Sequence, residues 1–207
     1  MILDYELKLD FKDVLIRPKR STLTSRKEVE LNRKYNFRNA KLSTPHKGHN
    51  LISDYEGIPI MASNMDGVGT FEIAKRISKN GLFTCLTKTY TENELIKFFK
   101  DTNISDHLAV SIGISDFDVT KFKNVYKAVG EKIKYVCIDV ANGYTELFSN
   151  FIINFRKKYP DLVIIAGNVC TADQTQELLL NGADIIKVGI GPGSVCTTRV
   201  KTGVGYP

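Results

Sequence analysis

The sequence predicts an α/β fold in which each parallel strand is followed by a helix that covers it. Two observations carry that prediction. From Ile58 onward, short apolar runs alternate with amphipathic segments of helical period. The apolar runs are hydrophobic on consecutive residues, as strands buried on both faces are. Six such units fit either a doubly wound sheet or a (β/α)8 barrel. A third observation separates the two. A doubly wound nucleotide-binding domain places Gly-x-Gly-x-x-Gly after its first strand, where this chain has Ser63-Asn64-Met65-Asp66, and the glycine-rich loop follows the sixth strand instead. The pattern favours the barrel, in which the loops after the strands' C-terminal ends build the active site.

The elements follow in order. Residues 1–57 form a leader that holds Leu7-Lys8-Leu9-Asp10-Phe11, Asp13-Val14-Leu15-Ile16 and a polar stretch from Ser43 to Tyr55, read as a surface loop. His46 and His49 in that stretch have no acidic or thiol partner nearby in sequence and read as solvated. Ile58–Ala62 is a buried strand, and Thr70–Asn80 a helix with Phe71, Ala74 and Ile77 on one face and Gly81 as its stop. Leu82–Leu86 is the second strand. Thr91-Glu92-Asn93-Glu94 then forms a capping box that opens a helix carrying Leu95, Phe98 and Phe99. His107–Ile112 and Tyr135–Val140 are the third and fourth strands, with a weaker helix Phe117–Val129 between them. The helix Tyr144–Tyr159 carries Phe148, Ile152 and Phe155. Leu162–Ala166 is the fifth strand, Thr171-Ala172-Asp173-Gln174 a second capping box whose helix ends at Asn181-Gly182, and Asp184–Val188 the sixth strand.

A complete barrel takes about 250 residues and eight units. This chain of 207 residues ends one loop past strand six. It is expected to supply one barrel domain's leader (1–57) and about six units (58–207), the remainder being absent, unless the fold is an open sheet that only resembles a barrel.

Composition narrows the partners. At 43% hydrophobic and 25% charged, the chain matches soluble globular proteins. No apolar run approaches the length of a membrane span, and Met1–Glu6 lacks the layout of a signal peptide, so a cytoplasmic location is expected. A net charge of +6 suits phosphorylated small molecules. The basic residues are scattered; only Arg17-Pro18-Lys19-Arg20 and Arg156-Lys157-Lys158 cluster, and the second complements a helix C-terminus. No nucleic-acid partner is expected. Cys85, Cys137 and Cys170 lie in apolar runs and read as reduced core thiols, which leaves Cys196 as the exception.

Cys196 belongs to the most informative segment, Gly189-Ile190-Gly191-Pro192-Gly193-Ser194-Val195-Cys196-Thr197-Thr198-Arg199. Three glycines within five residues let the backbone approach a ligand and turn its amides toward an anion. A cysteine ringed by amide donors and near Arg199 has a lowered pKa, which favours the nucleophilic thiolate, and Thr198 is placed to relay a proton. The other reading of the same residues is a glycine-rich turn holding an incidental thiol.

This segment resembles the catalytic loop of the IMP dehydrogenase/GMP reductase family. Four further segments resemble the reductase members in particular: Leu9–Leu15 with Arg17–Arg20, Asn64-Met65-Asp66, Asp139–Tyr144, and Lys201–Pro207. The Lys88-Thr89-Tyr90 run leads straight into the next helix, with no room for the regulatory insert usual in the dehydrogenases. The resemblance implies a (β/α)8 barrel that converts GMP to IMP with NADPH and releases ammonia through a covalent adduct of Cys196 at purine C2. It assigns Thr198 to protonation of the departing amine, with a glutamate partner in a part of the family barrel absent here. It further implies Ser25, Arg26, Lys88, Asp139, Val140, Ala141, Ile190 and Gly191 as cofactor contacts, and Ser63, Met65, Asn168 and Ser194 as nucleotide contacts. Gly191, Gly193, Cys196 and Arg199 correspond to a monovalent-cation site, K+ in kind, and the family forms homotetramers. Gly67 stands where a threonine is common, Thr89 where a histidine is common, and the Ser43–Tyr55 stretch is longer than the family connection. NAD-dependent oxidation of IMP and a non-catalytic nucleotide-binding fragment remain as competing readings.

Overall fold

A computed structural model describes residues 7, 9, 11–37, 54–193 and 195–206. The readings placed on His46, His49 and Ser194 lie outside these residues. Strands β1 (Arg33–Asn36) and β2 (Asp54–Gly57) pair antiparallel, with Tyr35 opposite Tyr55. Six further strands form one parallel sheet in chain order: β3 (Met61–Ala62), β4 (Phe83–Cys85), β5 (Leu108–Ile112), β6 (Tyr135–Asp139), β7 (Val163–Val169) and β8 (Ile185–Val188). Helices α1 (Phe71–Ile77), α2 (Glu92–Asp101), α3 (Asp116–Val129), α4 (Glu146–Lys158) and α5 (Ala172–Leu180) connect them, and a short α6 (Thr198–Thr202) follows the glycine-rich loop.

The order never reverses, so it is not doubly wound, and right-handed crossovers place every helix on the same face. The residues sort accordingly into two layers. Val110, Ile112, Val136, Ile138, Ile164 and Ala166 pack with helix residues such as Leu95, Phe99, Phe122, Phe148, Ile152 and Leu178. Their alternates, Ala109, Tyr135, Cys137, Val163 and Ile165, face inward with Phe83 and Cys85. The curl of the sheet is visible in one contact. Lys187 Nζ on β8 donates to Asn64 Oδ1, just past β3, over 2.9 Å. Flat strands five spacings apart would lie roughly 24 Å from each other. The sheet therefore bends round as six strands of a barrel do.

The β1–β2 pair plugs the N-terminal end of this concave face. Tyr55 packs edge-on against Phe83, with ring centroids 5.6 Å apart, and Phe37 packs edge-on against Tyr135. The Tyr55 hydroxyl reaches the Gly81 carbonyl at 2.8 Å. Tyr55 was read as part of a surface loop; it is a buried strand residue, because its ring covers the open bottom of the inner layer. The rest of that stretch, up to residue 53, lies outside the described residues.

Local chemistry sets the helix starts. Thr70, Ser115, Thr145 and Thr171 each accept a backbone amide as N-cap, and Thr91 and Glu94 satisfy each other in a full capping box. The second expected box forms only halfway. Gln174 turns its side-chain amide to the Gly143 carbonyl instead, and the Thr171 amide is taken by Tyr144 Oη. Helix α4 starts two residues later than expected for the same reason: Tyr144 serves the neighbouring loop, and Thr145 caps.

Three further expectations are corrected. Ile58–Ala62 is not a buried strand: only Met61 and Ala62 pair, and Ile60 is 59% exposed, because this outermost strand has a neighbour on one side alone. Cys170 is half-buried at the strand ends, whereas Cys85 and Cys137 are core thiols; all four are free. Arg156 does more than complement a helix end. Its guanidinium donates to the carbonyls of Pro160, Leu162 and Gly182 and pairs with the fully buried Asp184, which also accepts from the Ile164 amide.

Candidate active site

The C-terminal ends of the strands carry the site. The Gly189 amide donates to the Val169 carbonyl over 2.7 Å, which fastens the glycine-rich loop to β7. Ile190 and Tyr206 then form an antiparallel bridge, so residues 190–206 close on themselves as a flap. Gly191 takes a left-handed φ of +65°, and a Cβ there would meet Arg199 Cγ at 3.2 Å. The loop thus folds Gly191 against Arg199, while the Cys196 amide donates to the Gly193 carbonyl over 2.9 Å. The Cys196 thiol donates to Thr198 Oγ1 over 3.3 Å. In the thiolate form Cys196 would instead accept from the Thr198 hydroxyl and amide, which holds the group below its usual value, with the charge of Arg199 a smaller contribution. Both residues expected to carry chemistry are therefore in contact, and the largest influence on the thiol is Thr198.

Across the mouth, Asp139, Gly167 and Lys187 stand side by side on β6, β7 and β8. Lys187 Nζ forms an ion pair with Asp139 over the middle strand, in addition to its bond to Asn64. A Cβ at Gly167 would sit 2.6 Å from Lys187 Cβ, so the pair closes only over a residue without a side chain. Asp66, two residues beyond Asn64, accepts from the Thr87 hydroxyl at 3.0 Å.

The loops after β6 and β7 are knit together. The Gly143 amide donates to the Asn168 carbonyl, and the amides of Cys170 and Thr171 donate to Tyr144 Oη over 2.8 and 3.0 Å. Asn168 donates its Nδ2 to the Gly189 carbonyl, yet its buried Oδ1 has no partner. An orphaned acceptor at the mouth fits a ligand that brings an N–H group. Between these loops and the flap lies a cleft of about 510 Å³, lined by Ala141, Asn142, Tyr144, Ile190, Thr198 and Tyr206 among others.

The expected residues are brought together unevenly. Asp139, Val140, Ala141, Asn168, Ile190, Gly191, Gly193, Cys196, Thr198 and Arg199 share the ends of β6, β7 and β8. Ser63 and Met65 stand on the exposed loop past β3, and Lys88 on the loop past β4, where its carbonyl accepts from Lys121 Nζ over 2.8 Å. Ser25 and Arg26 belong to the exposed leader, where Ser25 caps the turn Arg26–Glu28. The reading of site residues missed Lys187, Asn64, Tyr144 and Cys170. Lys187 had a signal, being the one charged residue in the apolar run Ile185-Ile186-Lys187-Val188.

Among the described residues, no three of His, Cys, Asp or Glu gather as a metal site, and no helix is long and apolar enough to cross a membrane. Residues 8–207 match the model of the IMP dehydrogenase / GMP reductase domain. The chain is 52% identical over 206 residues to GMP reductase 2 of Bos taurus and 51% identical over 207 residues to the GMP reductase of Caenorhabditis elegans. In both alignments 99% of this chain is covered, against 56% and 54% of the relatives. The chain thus spans about half the length of the curated relatives it matches. The crystal structure of inosine 5' monophosphate dehydrogenase from Legionella pneumophila superposes with a TM-score of 0.77 at 28% identity, over 97% of this chain and 56% of that one.

Proposed function

The chain belongs to the IMP dehydrogenase/GMP reductase family, and within it we propose that these residues form the nucleophile half of a GMP reductase that converts GMP to IMP and ammonia with NADPH. The observation that carries this reading is the Cys196–Thr198 contact, with its lowered thiol, in a glycine-rich loop at the C-terminal ends of parallel strands. The identity of about half to proteins named GMP reductase, against 28% to the dehydrogenase structure, favours the reductase.

The Cys196 thiolate attacks C2 of the guanine and forms a C–S bond. Thr198 passes a proton to the exocyclic amine, and the C–N bond breaks to release ammonia, leaving a thioimidate. NADPH, when bound, supplies the hydride that C2 then accepts. The C–S bond breaks last, returning the thiolate and releasing IMP. Covalent attachment helps because an amino group is not displaced directly from an aromatic ring by hydride.

Lys88, Asp139, Val140, Ala141, Ile190 and Gly191 would hold the nicotinamide end, with Ser25 and Arg26 toward the adenosine end, the last suited to a 2′-phosphate. The orphaned Asn168 Oδ1 and the cleft beside Ile190 support this fit. Asn168, Ser63, Met65 and Ser194 would line GMP. A K+ ion would be held by Gly191, Gly193, Cys196 and Arg199. The Gly193 and Arg199 carbonyls each accept one amide, which leaves each a second lone pair. We place this chemistry in a single barrel domain of a cytoplasmic homotetramer, with no nucleic-acid or membrane partner.

The test is loss of NADPH absorbance on addition of GMP. Turnover that falls by several orders of magnitude in Cys196→Ala supports the reading. Formation of NADH from IMP favours a dehydrogenase, and nucleotide binding without turnover favours a non-catalytic module.

A further inference from the structure

Helix α3 carries a lysine that the proposed chemistry does not use. The Lys121 ammonium reaches off the helix and donates to the Lys88 carbonyl over 2.8 Å, on the loop past β4. Asn124, one turn further along the same face, donates its Nδ2 to Glu92 Oε2 over 3.1 Å at the start of α2. Two donors of α3 thus grip the connection between β4 and α2. The charges of Asp118, Glu92 and Glu94 all bear on Lys121 and offset the burial that pushes its ammonium down. Its hydrogen bond nonetheless goes to a neutral backbone carbonyl 33 residues away.

The gripped loop is anchored on both sides of Lys88. Before it, the Thr87 amide donates to the Gly69 carbonyl over 2.8 Å and the Thr87 hydroxyl to Asp66 Oδ1 over 3.0 Å. After it, Tyr90 stacks on Phe71 with ring centroids 3.7 Å apart, and its hydroxyl accepts the Phe71 amide. Lys88 and Thr89 stand between these anchors. Beside them lies a cavity of about 240 Å³, bounded by Thr89 and Tyr90 from the loop and by Phe117, Thr120 and Lys121 from α3. Side-chain packing does not fix a peptide plane across open space, so the Lys121 bond carries that task. Lys88 itself is exposed.

We propose that Lys121 is a positioning residue for the cofactor: it holds the Lys88 peptide so that the Lys88 side chain meets the nicotinamide end of NADPH. The inference rests on the reading of Lys88 as a cofactor contact. Because the peptide unit is planar, a carbonyl turned toward α3 fixes the rotation of the Lys88–Thr89 peptide as a whole. That rotation sets the bearing of the side chain on the adjoining Cα. The bond is charge-assisted, and so stronger than one between two neutral groups. A loop already held in place spares the cofactor the entropy of ordering it on binding. Lys121 acts only through Lys88, and no proton moves and no covalent bond changes at either residue.

The test follows acetylation of each lysine by an N-hydroxysuccinimide ester under single-hit conditions, read by peptide mass spectrometry across a titration with NADPH. In the parent chain NADPH shields Lys88. Lys121→Met keeps an unbranched stem on the helix and removes the donor. In that variant the NADPH concentration that half-shields Lys88 rises about 10-fold, while protection of Cys196 from iodoacetamide by GMP is unchanged. Lys121→Arg, whose guanidinium donates to the same carbonyl, restores most of the shielding. A merely structural role would weaken GMP protection and NADPH shielding alike, and that result overturns the inference. Equal shielding of Lys88 in the parent and in Lys121→Met also overturns it and leaves the proposed function standing. A parent whose Lys88 is not shielded by NADPH overturns the assignment of Lys88 as a cofactor contact, and this inference with it.

Discussion

The middle of the parallel sheet and its two outer strands obey different rules. In β5, β6 and β7 nearly every residue is buried, and inward and outward side chains alternate between two packed layers. In β3 and β8 no residue is fully buried, and Val188 is 63% exposed. Yet the outer strands supply Lys187 and, just beyond β3, Asn64, whose contact bridges the curled sheet. The centre therefore provides rigidity, and the margins provide polar groups that reach across the mouth. A strand with one neighbour is weakly held by packing, so a hydrogen bond from its side chain carries more of its placement.

The sharpest way to break this comparison is truncation in both regions. Ile164→Ala, in the fully buried centre, is expected to cost about 2–5 kcal/mol. Val188→Ala on the margin should cost about 0.5 kcal/mol or less. Urea unfolding of the two variants checks both, and equal losses would contradict the distinction. Next in size, Lys187→Met leaves the Asp139 carboxylate without its cation and should cost about 1–3 kcal/mol. A double variant with Asp139→Asn should lose less than the sum of the single changes, since the two groups share one interaction.

The smallest expected effect is a pH dependence at the bottom of the sheet. Burial holds the His107 imidazole below its usual value, and its Nδ1 has no partner. The unfolded chain then binds the proton more readily than the folded one. Stability contributed here is present above about pH 6.5 and is lost as the pH falls toward the folded value. His107→Phe should flatten that slope in thermal unfolding between neutral and mildly acidic pH; an unchanged slope would assign it elsewhere.

The same division explains what the sequence disclosed. The central strands, the helix caps at Thr91 and Thr171, and the Cys196 loop are all written in local pattern, because apolar runs, cap residues and glycine clusters act within a few positions. The margins were misjudged. Ile58–Ala62 is apolar enough to look buried, but its exposure depends on having one neighbour strand. The β1–β2 pair joins segments whose alternation is weak. The Lys187–Asn64 bond joins residues 123 positions apart, which no local pattern encodes. Tyr144 was assigned to a helix by periodicity, yet the amides of Cys170 and Thr171 claim its hydroxyl. At the site, the glycine-rich loop and the nearness of Thr198 to Cys196 were legible. The dominant influence of Thr198 over Arg199, and the scaffold of Lys187 and Tyr144, required the fold.

The central claim is that the Cys196 thiol is an activated nucleophile facing a bound purine nucleotide. It is tested most directly by the rate at which iodoacetamide alkylates each cysteine, read by peptide mass spectrometry across pH with and without GMP. The account predicts that Cys196 reacts first, that its rate rises below the pH near 8.5 where a free thiol ionises, and that GMP slows Cys196 while leaving Cys170 unchanged. A Cys196 rate that follows an ordinary thiol and is indifferent to GMP would contradict it.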